Sequence, residues 1–253
     1  MISLRRVLRE GAATSNHGMA GAKTPPQSTA PDYRVVVEPA RLVARLSFVA
    51  FVLLLIHSTL TVYHYRVHAL AWVPWRQLFD VDQENNVPTW FSGCLLGVTA
   101  LSVWIVADAK RELSDRWWAH WMLLAGGFLL LSLDEIAGLH ETVNTIIDTT
   151  WAIPGGILAL LTGVAFIPFL RSLPTATRNA FIVAGCIYVS GAVGLEIIGD
   201  FLNEDSMTYK LTTVVEEGME MGGVIMCLAA LLQYMGRSQG SSREVNVHVG
   251  VHH

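Results

Sequence analysis

The chain has 253 residues, 52% of them hydrophobic and 15% charged, with a mean hydropathy of +0.44 and a formal net charge of -4. That is too apolar for a water-soluble domain of this length and points to an all-α fold, a polytopic membrane helix bundle. The mild acidity, together with a basic complement that topology accounts for, excludes nucleic acid as a partner.

Six runs are apolar enough to cross a hydrocarbon core of roughly 30 Å at about 1.5 Å per helical residue. They cover about 42–64, 88–108, 117–138, 154–171, 179–200 and 211–235, the fourth interrupted by Pro154, Gly155, Gly156 and Pro168. The expected organisation is a disordered cytoplasmic arm over 1–40, a six-helix transmembrane domain over 41–236 and a short mobile cytoplasmic tail over 237–253. The arm is rich in Gly, Ala, Ser, Thr and Pro, a composition that buries too little surface to offset its ordering entropy. Its basic start has no apolar run directly behind it, so the first span is expected to act as an uncleaved signal anchor. Every Lys and Arg except Arg66, Arg76 and Lys210 falls on the arm's side of these spans. The positive-inside rule then puts both termini in the cytoplasm.

The first span carries His57 at depth, a hydrogen-bonded residue or a ligand, while His64 and His68 beside Tyr63 and Tyr65 read as an interfacial belt. The loop that follows, F-D-V-D-Q-E-N-N-V-P-T-W-F-S over 79–92, spaces Asp80, Asp82 and Glu84 by two. It resembles half of a calcium loop but lacks the glycine and the distant glutamate, so a solvated acidic loop is expected. Cys94, Cys186 and Cys227 sit one per span and imply no disulfide framework. Trp117, Trp118 and Trp121 anchor the inner end of the third span. Asp134 and Glu135 follow roughly 25 Å further along the helix, near the outer boundary. The stretch over 131–141 reads L-S-L-D-E-I-A-G-L-H-E, and Gly138 is placed to end the helix.

The fifth span puts Glu196 and Asp200 one turn apart near its outer end, and the sixth starts on that side with Glu216, Glu217 and Glu220 on one stripe. Gly218 and Gly222 form a G-x-x-x-G ridge suited to close helix approach. Topology alone therefore brings Asp134, Glu135, His140, Glu141, Glu196, Glu216, Glu217 and Glu220 to the outer half of the membrane, with His57 and Asp200 as possible additions. Carboxylates this close need protons or a cation to compensate them. Oxygen-rich ligands with one or two histidines suit a divalent metal ion such as iron, manganese or zinc. A di-iron bundle would supply Glu-x-x-His pairs, which this sequence lacks, and His140 can share a site with Glu135 only if the helix breaks near Gly138.

Three readings follow. The first is a metal-dependent enzyme acting on a membrane lipid or lipophilic substrate in the outer leaflet. The others are a cation- or proton-coupled transporter using the same carboxylates, and a structural protein with protonated interhelical acids. The inner halves of the spans offer little besides Asp108 and His120, which favours the first reading over transport.

The L-S-L-D-E-x-x-x-L-H-E stretch, the F-D-x-D-x-E-x-x-x-P-T-W-F-S loop and the V-E-E-G-x-E-M-x-G helix resemble a widespread group of uncharacterised bacterial multispanning membrane proteins, over about residues 42–235. The resemblance implies a location in the bacterial inner membrane and treats the three motifs as a unit. It implies no activity. The histidine-box desaturases are not matched, since no H-x-x-H-H occurs.

Overall fold

The computed structural model describes residues 2–6, 33–67, 74–147, 150–240 and 244–249. Strands β1 (Ile2–Arg6) and β2 (Tyr33–Val37) precede α1 (Pro39–Val67), α2 (Pro74–Leu78), α3 (Val87–Glu112), α4 (Trp118–Ala137), α5 (Leu139–Ile147) and α6 (Ala152–Ser172). Helix α7 (Thr175–Val189) passes through a π-helical turn, Ser190–Leu195, into α8 (Glu196–Gly199), and α9 (Met207–Ser238) and β3 (Val245–Val249) complete the chain. The fold is an all-α helix bundle. Five of its units are long and apolar enough to cross a membrane: α1, α3, α4, α6 and the continuous rod over residues 175–199.

The sixth expected span, α9, is 32 residues long but is not among those five. Its first half carries Lys210, Glu216, Glu217 and Glu220, and it occupies the middle of the bundle against α1, α3 and α7. A helix shielded by protein does not need an apolar surface all round. By contrast α6, with only Ala152 and Phe169 buried, leaves Leu158, Leu160, Leu161 and Val164 exposed, as a lipid-facing helix does.

Helices α3 and α4, and likewise α7 and α9, run antiparallel and approach closely at small residues. In α3, Gly93 meets Ser132 and Ile136 of α4, and the Ser132 hydroxyl donates to the Gly93 carbonyl at 2.7 Å. In α9, Gly223 lies under Ala184 and Tyr188 of α7, while Gly191 of the π-helical turn lies over the Glu216 carbonyl. The expected ridge is thus half right. Gly218 does receive Leu54 of α1, but Gly222 faces open space and its neighbour Gly223 makes the tight contact. The core between α3, α4 and α9 is apolar, with Leu96, Val103, Trp121, Leu228 and Leu231 all but fully buried.

The arm and tail, expected to lack structure, contribute the three strands. These form an antiparallel sheet in the order β1-β2-β3, with Ile2 opposite Val37, Tyr33 opposite Val249 and Val37 opposite Val245. Residues 7–32, His68 and the tail histidines His252 and His253 lie outside the described residues. The sheet joins the segment before α1 to the segment after α9, so these two helices begin and end at one end of the bundle. The opposite, far end gathers the α2–α3 loop, the α4–α5 junction and the α8–α9 turn, where the Tyr65 hydroxyl of α1 donates to the Asp205 carbonyl.

Candidate functional site at the far end of the bundle

The α2–α3 loop is not the solvated acidic loop that its sequence suggests. Asn86 caps α3 by accepting from the Thr89 N–H at 3.1 Å, and its side-chain amide donates to the carbonyls of Asp80 and Gln83, which folds the loop back over the helix ends. Its three carboxylates then go to three different helices. Asp80 is buried beside His57 of α1, 3.3 Å from Nδ1, and the Val81 N–H donates to that same nitrogen at 3.1 Å. Asp82 is ion-paired with Lys210 of α9 and accepts from the Thr213 hydroxyl at 3.4 Å. Glu84 lies directly against Gly138, at the end of α4. The spacing by two, which resembles a calcium loop, instead distributes one anion to each of α1, α9 and α4.

His57 accordingly belongs to this strap and not to the acidic cluster. On the other side of the ring, Nε2 lies within hydrogen-bond distance of the Thr61 hydroxyl, 3.2 Å away, and both residues are buried. Lys210, one of the three basic residues that the sequence leaves away from the arm's side, starts α9 and reaches Asp82 across the loop.

The break that the sequence requires near Gly138 is present. Gly138 adopts a left-handed conformation at φ 59° and donates its N–H to the Asp134 carbonyl at 2.8 Å, closing α4. The Asp134 carboxylate then holds the start of α5: Oδ1 accepts from the His140 N–H at 2.9 Å and Oδ2 lies 3.3 Å from His140 Nδ1. The imidazole stands beside Trp151, with ring centroids 5.5 Å apart, and Trp151 in turn lies next to Glu196.

On α9 the acidic stripe divides into two tiers. Glu217 and Glu220 lie in the electrostatic neighbourhood of Glu135 of α4, with Ser92 of α3 beside Glu135 and Tyr188 of α7 beside Glu220. Glu216, nearer the far end, faces Glu196, Asp82 and His140. These carboxylates are half-buried, whereas Asp200 is exposed at the rim. Glu141 lies in α5, and its side chain is outside what the structure describes. The far end therefore carries Asp134, Glu135, His140, Glu196, Glu216, Glu217 and Glu220 within electrostatic reach of one another, joined by Asp82, which the sequence assigns to a solvated loop, and by Ser92, Trp151 and Tyr188, which the sequence does not single out. Among the described residues, no three His, Cys, Asp or Glu side chains converge closely enough to hold a metal ion as they stand.

A family described as a domain of unknown function (DUF8692) matches residues 46–234. No curated protein and no solved structure matches the chain.

Proposed function

The chain belongs to the DUF8692 family, which carries no activity with it, and from the chain's own geometry we propose a membrane-embedded enzyme that binds a divalent cation at the far-end carboxylates and acts on a lipid or lipophilic substrate. The observation that carries this reading is one-sided convergence. The strongest charges acting on Glu216, Glu217 and Glu220 are other acids and His140, and Lys210 at the start of the same helix is already ion-paired with Asp82. Beneath them the bundle is closed by Leu96, Thr99, Val103, Leu228 and Leu231. A cation supplied from the far end would compensate the acids without a route through the membrane.

Iron, manganese or zinc suits a set rich in carboxylates with one imidazole. His140 is held by Asp134 in the manner of ligand histidines, whose second nitrogen is oriented by a carboxylate. Binding would draw Glu196 and Glu216 toward that imidazole. The cation would then activate water or dioxygen, with a neighbouring glutamate as acid or base. On the positive-inside argument, the far end faces the outer leaflet of the bacterial inner membrane and both termini are cytoplasmic.

Elemental analysis of protein purified without chelators tests the reading. Near-stoichiometric divalent metal that is lost in both Glu216→Gln and Glu217→Gln is the expected result, and trace metal unaffected by either substitution would remove it. One observation favours proton- or cation-coupled transport as a second reading: the π-helical turn packs Gly191 directly on Glu216, and π-helical turns concentrate at functional sites. Proton or metal flux in liposomes that Glu216→Gln abolishes would establish transport in place of the enzyme. Absence of both metal and flux would leave the acids as interhelical structural bonds.

A further inference from the structure

A cavity of about 310 Å3 opens at the other end of the bundle, where the α3–α4 loop meets the ends of α6 and α9. It has room for about ten waters. Its walls are Trp117, Trp121 and Tyr234, and its charged groups are Lys110, Arg116 and Asp115. The carboxylate is already engaged on both oxygens: Oδ1 accepts from the Trp117 N–H at 2.8 Å and Oδ2 pairs with the Lys110 ammonium at 3.0 Å. Arg116 is held differently. Its guanidinium lies 4.5 Å from the centre of the Trp117 ring, a cation–π contact that uses none of its N–H donors. The Lys110 ammonium also lies 5.8 Å from the centre of the Tyr234 ring, so both cations line an aromatic wall.

We propose that this cavity binds the phosphate head group of an anionic phospholipid, with Arg116 and Lys110 on the phosphate and the Trp and Tyr rings against the glycerol. The positive-inside bias explains why this end of the bundle is basic, but not why two cations gather around an aromatic cavity between helix ends. Basic pockets between transmembrane helices are the usual form of such head-group sites. Tryptophan and tyrosine suit the same depth because one side of the ring system is apolar and the other carries a donor. The helices that wall the cavity continue into surface that exposes Leu123 and Ile167, where acyl chains can lie. The inference is independent of the chemistry at the far end.

The test is the thermal unfolding midpoint of the full chain in neutral detergent, titrated with phosphatidylglycerol, phosphatidylcholine or soluble glycerol 3-phosphate. Phosphatidylglycerol should raise the midpoint while the other two leave it unchanged. Arg116→Gln should weaken the apparent affinity for phosphatidylglycerol by about fivefold, the worth of one basic contact at an anionic surface. Arg116 is exposed, so the substitution should lower the lipid-free midpoint only by the small worth of its contact with Trp117, and the affinity is read against that variant's own lipid-free midpoint. Arg45→Gln, an exposed cation elsewhere at this end, should leave the affinity intact. Equal shifts with phosphatidylcholine, a shift reproduced by glycerol 3-phosphate, or equal losses from Arg45→Gln and Arg116→Gln would each overturn the proposal.

Discussion

Lys210, in the first turns of α9, is ion-paired with Asp82, 128 residues earlier in the α2–α3 loop. The two side chains are only 13% and 11% exposed, so neither charge has water to fall back on. Removing one partner leaves a nearly buried unpaired charge, at a cost of about 3 kcal/mol. Asp82→Asn and Lys210→Met should each destabilise the protein by that order, and the double variant should recover at least half of the loss. Denaturation of all four proteins in one detergent checks this, and strictly additive losses would show that the pair does not hold the loop.

The glycines of α9 separate packing from composition. A Cβ on Gly223 would lie 2.9 Å from the Ala184 carbonyl oxygen and 3.0 Å from the Tyr188 backbone nitrogen, positions that cannot yield without moving α7. Gly223→Ala is therefore expected to destabilise by about 1–3 kcal/mol. Gly222 has no heavy atom within 4 Å of its added Cβ. There, alanine should be neutral or stabilising by up to about 1 kcal/mol through helix propensity. Equal melting temperatures for the two variants would contradict the assigned α7–α9 interface.

At the opposite end of the bundle, the Trp117 N–H holds the Asp115 carboxyl below its ordinary range, outweighing the opposing effect of burial, and the Lys110 ammonium adds to it. A group with a depressed folded pKa stabilises above its unfolded value, near 4, and that contribution is lost as pH falls through the folded value. Asp115→Asn should thus cost about 1 kcal/mol at neutral pH, a modest figure because the side chain is 28% exposed. The difference from wild type should close as the pH falls through the depressed folded value. A gap independent of pH would assign the effect to loop geometry and not to the charge.

Much of this arrangement is legible in the sequence because membrane topology does the placing. Once the spans alternate, Glu135, Glu196 and Glu216 must share one end whatever their contacts. Gly138 is legible for a different reason, since Glu135 and His140 cannot face one site along an unbroken helix. The strap over the far end is not legible. A polar segment with Asp80, Asp82 and Glu84 reads alike whether it is solvated or folded inward, and its partners His57, Lys210 and Gly138 are distant in sequence. The sheet did leave a signal in V-N-V-H-V over 245–249 and Y-R-V-V-V over 33–37, short β-branched runs within polar composition. Composition outweighed it because the strands pair at a distance, β1 with β2 beyond residues 7–32 and β2 with β3 across the whole helical bundle.

Gly138 joins the strap to the helix break, which makes it the most informative single position. Alanine there would meet two obstacles. A left-handed backbone at φ 59° costs a non-glycine residue about 1 kcal/mol, and the added Cβ would fall inside the Glu84 carboxyl group. Glu84 must then lift away or α5 must swing, and either movement loosens the Asp134 oxygen that accepts from the His140 N–H. The expected outcome for Gly138→Ala is a loss of about 1–3 kcal/mol together with faster hydrogen exchange at the His140 amide. Gly127→Ala, in the same helix α4 with nothing within 4 Å of its Cβ, should change neither in that direction. If stability fell while the His140 amide stayed protected, α5 would be held by something other than the packing of Glu84 on Gly138.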